Sequence, residues 1–147
     1  MQRRIQKQFV DEGFGFPVVL NNVPMIKLRG VWTPDIDYNR LAKMVLETLA
    51  EHPARLTGNE VKFVRHWFEM TLQQFADRFG VTHPAVIKWE RQASHPANMA
   101  WGTEKDLRLF ILDGLGKKPR IIAEAYRKLA RPVSARARRI TMDVAAA

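Results

Sequence analysis

The chain contains no cysteine. That single absence removes disulfides, thiolate zinc sites, iron–sulfur clusters and cysteine nucleophiles together, and it agrees with a reducing compartment. No run of about 18 apolar residues occurs, so nothing reads as a membrane span. Arg3, Arg4 and Lys7 are followed by Asp11 and Glu12 before any apolar stretch, which is not the pattern of a signal peptide. No segment repeats. Gly13-Phe14-Gly15 lacks a preceding predicted strand and a third glycine in register, so it is no dinucleotide fingerprint. His52, His66, His83 and His95 have no metal-ligand spacing. Asp35 and Asp37 read as a helix cap and a solvated carboxylate rather than a cation site. No Ser-His-Asp order or Gly-x-Ser-x-Gly elbow is present. The expectation is a non-enzyme without cofactor or metal.

What the chain does have is positive charge. Its 147 residues carry 24 Lys and Arg against 15 Asp and Glu, a net charge of +9. Residues 117–147 hold nine of the basic residues (Lys117, Lys118, Arg120, Arg127, Lys128, Arg131, Arg136, Arg138, Arg139) and only Glu124 and Asp143 against them. Clustered base of this kind points to a polyanion, above all nucleic acid. The hydrophobic share of 46% is ordinary for a globular chain. One domain, or one core plus an appendage, is the expected scale, in the cytoplasm and on the nucleoid when DNA is bound.

Residues 1–12 are polar and without a clear period. Phe16–Leu20 and Met25–Gly30 are β-prone runs, and Asn21-Asn22-Val23-Pro24 between them predicts a hairpin. Pro34 with Asp35 or Asp37 opens a helix to about Glu51, whose stripe is Leu41, Met44, Val45 and Leu49; His52-Pro53 stops it. Thr57-x-x-Glu60 and Thr71-x-x-Gln74 are capping boxes, Gly80 is a left-handed cap, and Thr82 opens a third short helix. Three helices are therefore expected within 58–91. Pro84 has no N–H, so the Thr82 hydroxyl must cap through Ala85. Thr103-x-x-Asp106 predicts a fourth helix ending at Gly114, with Leu107, Phe110 and Ile111 inward and Leu109 and Leu112 needing other cover. Pro119 begins a fifth, with Ile122, Ala125, Tyr126 and Leu129 as its stripe. Pro132 ends that helix, and the chain from Ser134 reads as loosely ordered.

The segment from Thr71 through Ala76, Gly80, Val81, Val86, Trp89 and Glu90 to Arg91 resembles the helix-turn-helix of the Xre/Cro repressor family. Ala76 is small where the second helix crosses, Gly80 permits the positive φ of the turn, and Val86 and Trp89 seat the recognition helix. The resemblance implies that Glu90 braces the scaffold and that His83, Pro84, Ile87 and Lys88 meet base edges in the major groove. Thr71, Gln73, Thr82 and Arg91 would meet phosphates, joined by Arg136, Arg138 and Arg139 of the basic tail. Leu72 stands where the family carries a phosphate-touching Gln, which leaves Gln73 as the neighbouring candidate.

A wider stretch also resembles regulators grouped with MqsA-type antitoxins: Gly15-Phe16-Pro17-Val18, Leu28-Arg29-Gly30-Val31-Trp32 and Leu56-Thr57-Gly58-Asn59-Glu60. MqsA itself holds its N-terminal module on a cysteine-ligated zinc, which this chain cannot do. Together the resemblances imply a mainly α fold, an Xre-type helix-turn-helix five-helix domain with an N-terminal β-hairpin-plus-helix extension. The expected parts are 1–56 (hairpin and helix), 57–116 (DNA-binding domain) and 117–147 (helix and basic tail). The expected function is a sequence-specific repressor that binds double-stranded DNA as a homodimer on a palindromic operator. The alternative is an antitoxin that neutralises a toxin through residues 1–56 and represses its own operon.

Overall fold

The computed structural model describes residues 1–144; the alanine-rich end of the chain, 145–147, lies outside the described residues. Two compact units emerge, residues 1–45 with 139 onward, and residues 46–138.

The first unit is built on a sheet of β1 (Arg3–Asp11), β2 (Val18–Leu28), β3 (Val31–Pro34) and β4 (Ile140–Asp143). β2 is its spine. β1 runs antiparallel along one edge of it, from Arg3 opposite Ile26 to Asp11 opposite Val18. The other edge is shared by β3, antiparallel against Met25–Leu28, and β4, parallel against Val18–Asn21.

This corrects the sequence reading in three places. Asn21-Asn22-Val23-Pro24 is not a turn but part of one continuous strand. Asn22 takes φ 56°, a left-handed conformation that asparagine tolerates; before it Val18, Val19 and Leu20 are all buried, and after it burial alternates at Val23 and Met25. The turn lies at Gly13-Phe14-Gly15 instead, so a strand does precede these glycines. Gly15 has φ 92° and donates its N–H to the Glu12 carbonyl at 3.2 Å. Third, the segment after Ser134 is anchored: Ile140 and Met142 of β4 are buried. With six helices and a four-stranded mixed sheet among the described residues, the fold is α/β. It is not the mainly α fold with an Xre-type five-helix domain and hairpin extension. The polar β1 and the distant β4 hid most of the sheet from a local reading.

The helices are α1 (Tyr38–Glu51), α2 (Gly58–Trp67), α3 (Leu72–Phe79), α4 (His83–Arg91), α5 (Trp101–Gly114) and α6 (Pro119–Lys128). None is long and apolar enough to cross a membrane among the described residues. The division between units falls within α1. Asp37 starts that helix, its carboxylate accepting from the N–H groups of Asn39 and Arg40. Both capping boxes form, at Thr57/Glu60 and Thr71/Gln74. α5 begins two residues before Thr103 and carries no side-chain cap. Leu112 belongs to the core and needs no other cover, whereas Tyr126 is 58% exposed rather than part of a buried stripe.

The helical unit packs around Leu49, Leu56, Val64, Phe75, Val86, Leu107 and Ile111. Phe68, Phe110, Phe79 and Phe75 extend this core in a row, with successive ring centroids 4.8, 5.5 and 4.8 Å apart. Through it runs a buried ionic node. Arg108 is 0% exposed and Glu104 1% exposed. Arg108 donates to Glu104 at 2.8 Å and to the carbonyls of His52 (2.6 Å) and Ala54 (2.7 Å). Glu104 also accepts from Arg55 Nε at 2.8 Å and from the Leu56 N–H at 3.3 Å. Burial pulls the Arg108 pKa below its ordinary value, opposed by the adjacent Glu104 carboxylate.

His52 closes α1 and is buried, its Nε2–H donating to the Arg138 carbonyl at 3.0 Å. Burial holds its pKa below 6.5, with the positive charges of Arg108 and Arg138 acting the same way and Glu104 and the carbonyl opposing. The unfolded chain therefore takes up the proton first as pH falls. The neutral-His52 contribution is present in full above about pH 6.5 and is lost as pH drops below it. His52→Gln keeps a donor for the carbonyl but cannot titrate. Chemical denaturation between pH 7.5 and pH 5 (about) should show a smaller stability loss in His52→Gln than in the parent; equal losses would contradict this.

Candidate nucleic-acid interface

α3, the turn at Gly80–Thr82 and α4 form a short two-helix unit whose every joint has a local cause. Thr71 caps α3 by accepting from the Gln74 N–H at 3.0 Å, and the Gln74 side chain accepts from the Thr71 N–H at 2.9 Å. Gly80 ends the helix at φ 66° with no need of a Cβ. Thr82 then caps α4 by accepting from the Ala85 N–H at 3.3 Å, as the missing N–H of Pro84 requires. Val86 and Trp89 are buried and fix the rotation of α4 about its axis. The opposite face is thereby defined: Pro84, Lys88 and Arg91 are exposed, and His83 and Ile87 are half-buried.

The brace behind α4 is more elaborate than its sequence shows. Glu90 accepts a two-pronged ion pair from Arg65 of α2, at 2.7 Å from Nε and 2.9 Å from Nη2. Arg65 Nη1 also donates to the Met70 carbonyl at 3.0 Å, just before α3 begins. One guanidinium thus joins α2, the entry to α3 and the end of α4. The planar fork of arginine suits this work, and lysine would not replace it. Arg65 was missed as a positioning residue, although a signal existed: it stands four residues after Val61 and next to Val64, on the stripe that should be apolar.

Comparison with protein-family models, with curated proteins and with solved structures returns no match.

Exposed cations stand on the outward face of α4 and, elsewhere in the chain, on the basic segment 136–139. Lys88, Arg91, Arg136, Arg138 and Arg139 form no ion pair among the described residues. Arg78, by contrast, is engaged by Asp106 at 3.0 Å. Thr71 and Thr82 are exposed at the N-termini of α3 and α4, where backbone N–H groups and the helix dipole favour phosphate. Gln73 is exposed, but its side-chain amide donates to Asp77 at 2.8 Å and would have to leave that bond to reach a phosphate. Arg136 and Arg138 lie in the helical unit with α4, and Arg139 begins the return to the sheet unit. Trp89 is core, as its stripe predicts, while Trp67 is only half-buried. His66 is exposed and lies against Arg65.

α2 approaches α4 at Gly58, where a Cβ would meet the Trp89 carbonyl oxygen at 2.5 Å and the Ala93 nitrogen at 2.8 Å. Backbone atoms cannot yield as a side-chain tip does. Gly58→Ala should therefore cost about 1–3 kcal/mol. Gly102 of α5 has no such neighbour, so Gly102→Ala should be neutral or stabilising by up to about 1 kcal/mol. Thermal or urea melts of the two variants check this. Equal behaviour would mean that the α2–α4 approach is not what demands glycine.

Proposed function

We infer that the protein is a sequence-specific regulator that binds double-stranded DNA, acting as a repressor in the cytoplasm. The observation that carries this reading is the pairing of a rigidly braced α4 with an outward face free of ion pairs. In this reading α4 enters the major groove. Lys88 donates to guanine O6 and N7, while Pro84 and Ile87 offer apolar contact to a thymine methyl. His83 reads the neighbouring base edge. Thr71, Thr82 and Arg91 hold phosphates on either side, with Gln73 joining them once it releases Asp77. Arg136, Arg138 and Arg139 add contacts to the backbone, which carry affinity rather than sequence. The likeness of residues 71–91 to Xre/Cro helix-turn-helix segments supports the same assignment.

Two copies acting on a palindrome fit this reading, because one such module covers too little DNA for high specificity. Leu109, Ile122 and Tyr126 line an open groove along α5 and α6 together with Asp113, Lys117 and Arg127. Its apolar floor and its charges of both signs suit contact with a second copy. Half-sites would then lie about 34 Å apart.

The antitoxin reading has one observation of its own. β1 is a nine-residue strand paired only with β2 among the described residues, so its outer edge is open to a partner's strand. The DNA reading is favoured because it uses both the brace and the free cations.

Lys88→Ala and Trp89→Ala separate reading from folding. Lys88 is exposed, so its loss should change stability by no more than about 0.5 kcal/mol while removing about 1–3 kcal/mol of discrimination at one base pair per half-site. Trp89→Ala should cost about 3–5 kcal/mol and abolish binding by unfolding. Binding by the parent should weaken about a thousandfold between 50 and 200 mM salt. Melting curves beside gel shifts on the protein's own upstream DNA test all three. Unchanged base preference in Lys88→Ala would move the reading role to His83 and Arg91.

A further inference from the structure

Within the helical unit, the end of α1 and one face of α6 line a partly open cavity of about 360 Å³ that shares no residue with the α3–α4 surface. Pro53, Ile121, Ala125, Leu129 and Val133 give it apolar walls. That volume falls within the range of about 300–1,000 Å³ typical of small-molecule sites. Its acidic groups are Glu51 and Glu124. Neither is ion-paired among the described residues, and Glu124 stands in the most basic stretch of the chain. His52, also in the wall, already donates its ring N–H to the Arg138 carbonyl. Lys128 is the remaining charged group, and it is exposed, so its long stem lets the ammonium stay in water.

We propose that this cavity binds a small organic amine, with the ammonium held by the half-buried Glu124 and the apolar body against Ile121, Ala125 and Leu129. One side of the cavity is closed by the chain that follows α6. Val133 lines it, the Ser134 N–H donates to the Pro53 carbonyl at 3.3 Å, and the Arg55 N–H donates to the Ser134 carbonyl at 2.8 Å. The His52–Arg138 bond fastens the far end of the same segment. A ligand filling the cavity gives this strap a floor and so reduces its opening. The strap carries Arg136 and Arg138. On the DNA-binding reading, and only in this respect resting on it, the amine is a co-regulator that strengthens binding by holding in place the segment that carries these two arginines.

The test titrates the full chain with 2-phenylethylammonium, followed by backbone amide NMR. The expected result is saturable shifts at Ala125 and Val133, with a dissociation constant on the order of 1 mM, and slower hydrogen exchange at the Arg55 and Ser134 amides. Glu124→Gln should bind the probe about tenfold more weakly and melt like the parent. 3-Phenylpropionate, with the same body and the opposite charge, should not bind. Absence of saturation by about 10 mM, equal binding of the carboxylate, or unchanged affinity in Glu124→Gln would each overturn the site. Gel shifts with and without the probe read the coupling separately. Amine binding that leaves DNA affinity unchanged would overturn the co-regulator role alone, and a chain that binds amine but no DNA would overturn the DNA reading while the site stands.

Discussion

The helical unit depends first on Arg108. Its guanidinium sits in the core and gathers carbonyl oxygens from the segment that links α1 to α2, where no helix or strand satisfies them. Glu104, one turn earlier on α5, balances the charge and reaches the same segment through Arg55 and the Leu56 N–H. An irregular connection is thus tied to a helix at several points. A buried charge of this kind is costly unless it is paired and its donors are used. Here no buried side-chain polar atom of the described residues lacks a hydrogen bond. The entry to α2 is fixed as a result, and Thr57, Gly58 and Glu60 can take up their cap and close approach.

From that point the rigidity passes to α4. Gly58 lets the start of α2 lie directly against the backbone at the end of α4, and Arg65, near the end of α2, fastens the same end of α4 through Glu90. Two ionic nodes therefore stand in series, a buried one setting where α2 begins and a partly buried one setting how α4 is held. A DNA-reading helix needs such support, since a base contact is specific only when its donor is fixed. Exposed ion pairs in the same unit, such as Arg78–Asp106, add little by comparison.

Much of the helical unit was legible from the sequence because its signals are local. Caps at Thr57, Thr71 and Thr82, the glycine at position 80 and the prolines at 53, 84 and 119 each act within a turn or two of themselves. The sheet was not legible, because its evidence is not local. β1 is an edge strand with most side chains exposed, so it shows no apolar alternation. β4 is four residues long and pairs with a strand about 120 positions earlier. Asn22 and Pro24 imitate a turn inside a strand. In the candidate interface, the face of α4 followed from which residues Val86 and Trp89 bury. Arg65 and Arg108 did not follow, because a charged residue on an apolar stripe identifies no partner until α4 and α5 are in place.

On the proposed function, α4 reads DNA sequence. Selection of bound duplexes from a random double-stranded pool, followed by amide NMR of the protein with the enriched duplex, tests it most directly. The expected result is enrichment of a two-fold symmetric sequence, with the largest shifts confined to residues 71–91 and to Arg136 and Arg138. A pool that stays random, or shifts that concentrate in the sheet unit while α4 is unchanged, would contradict it.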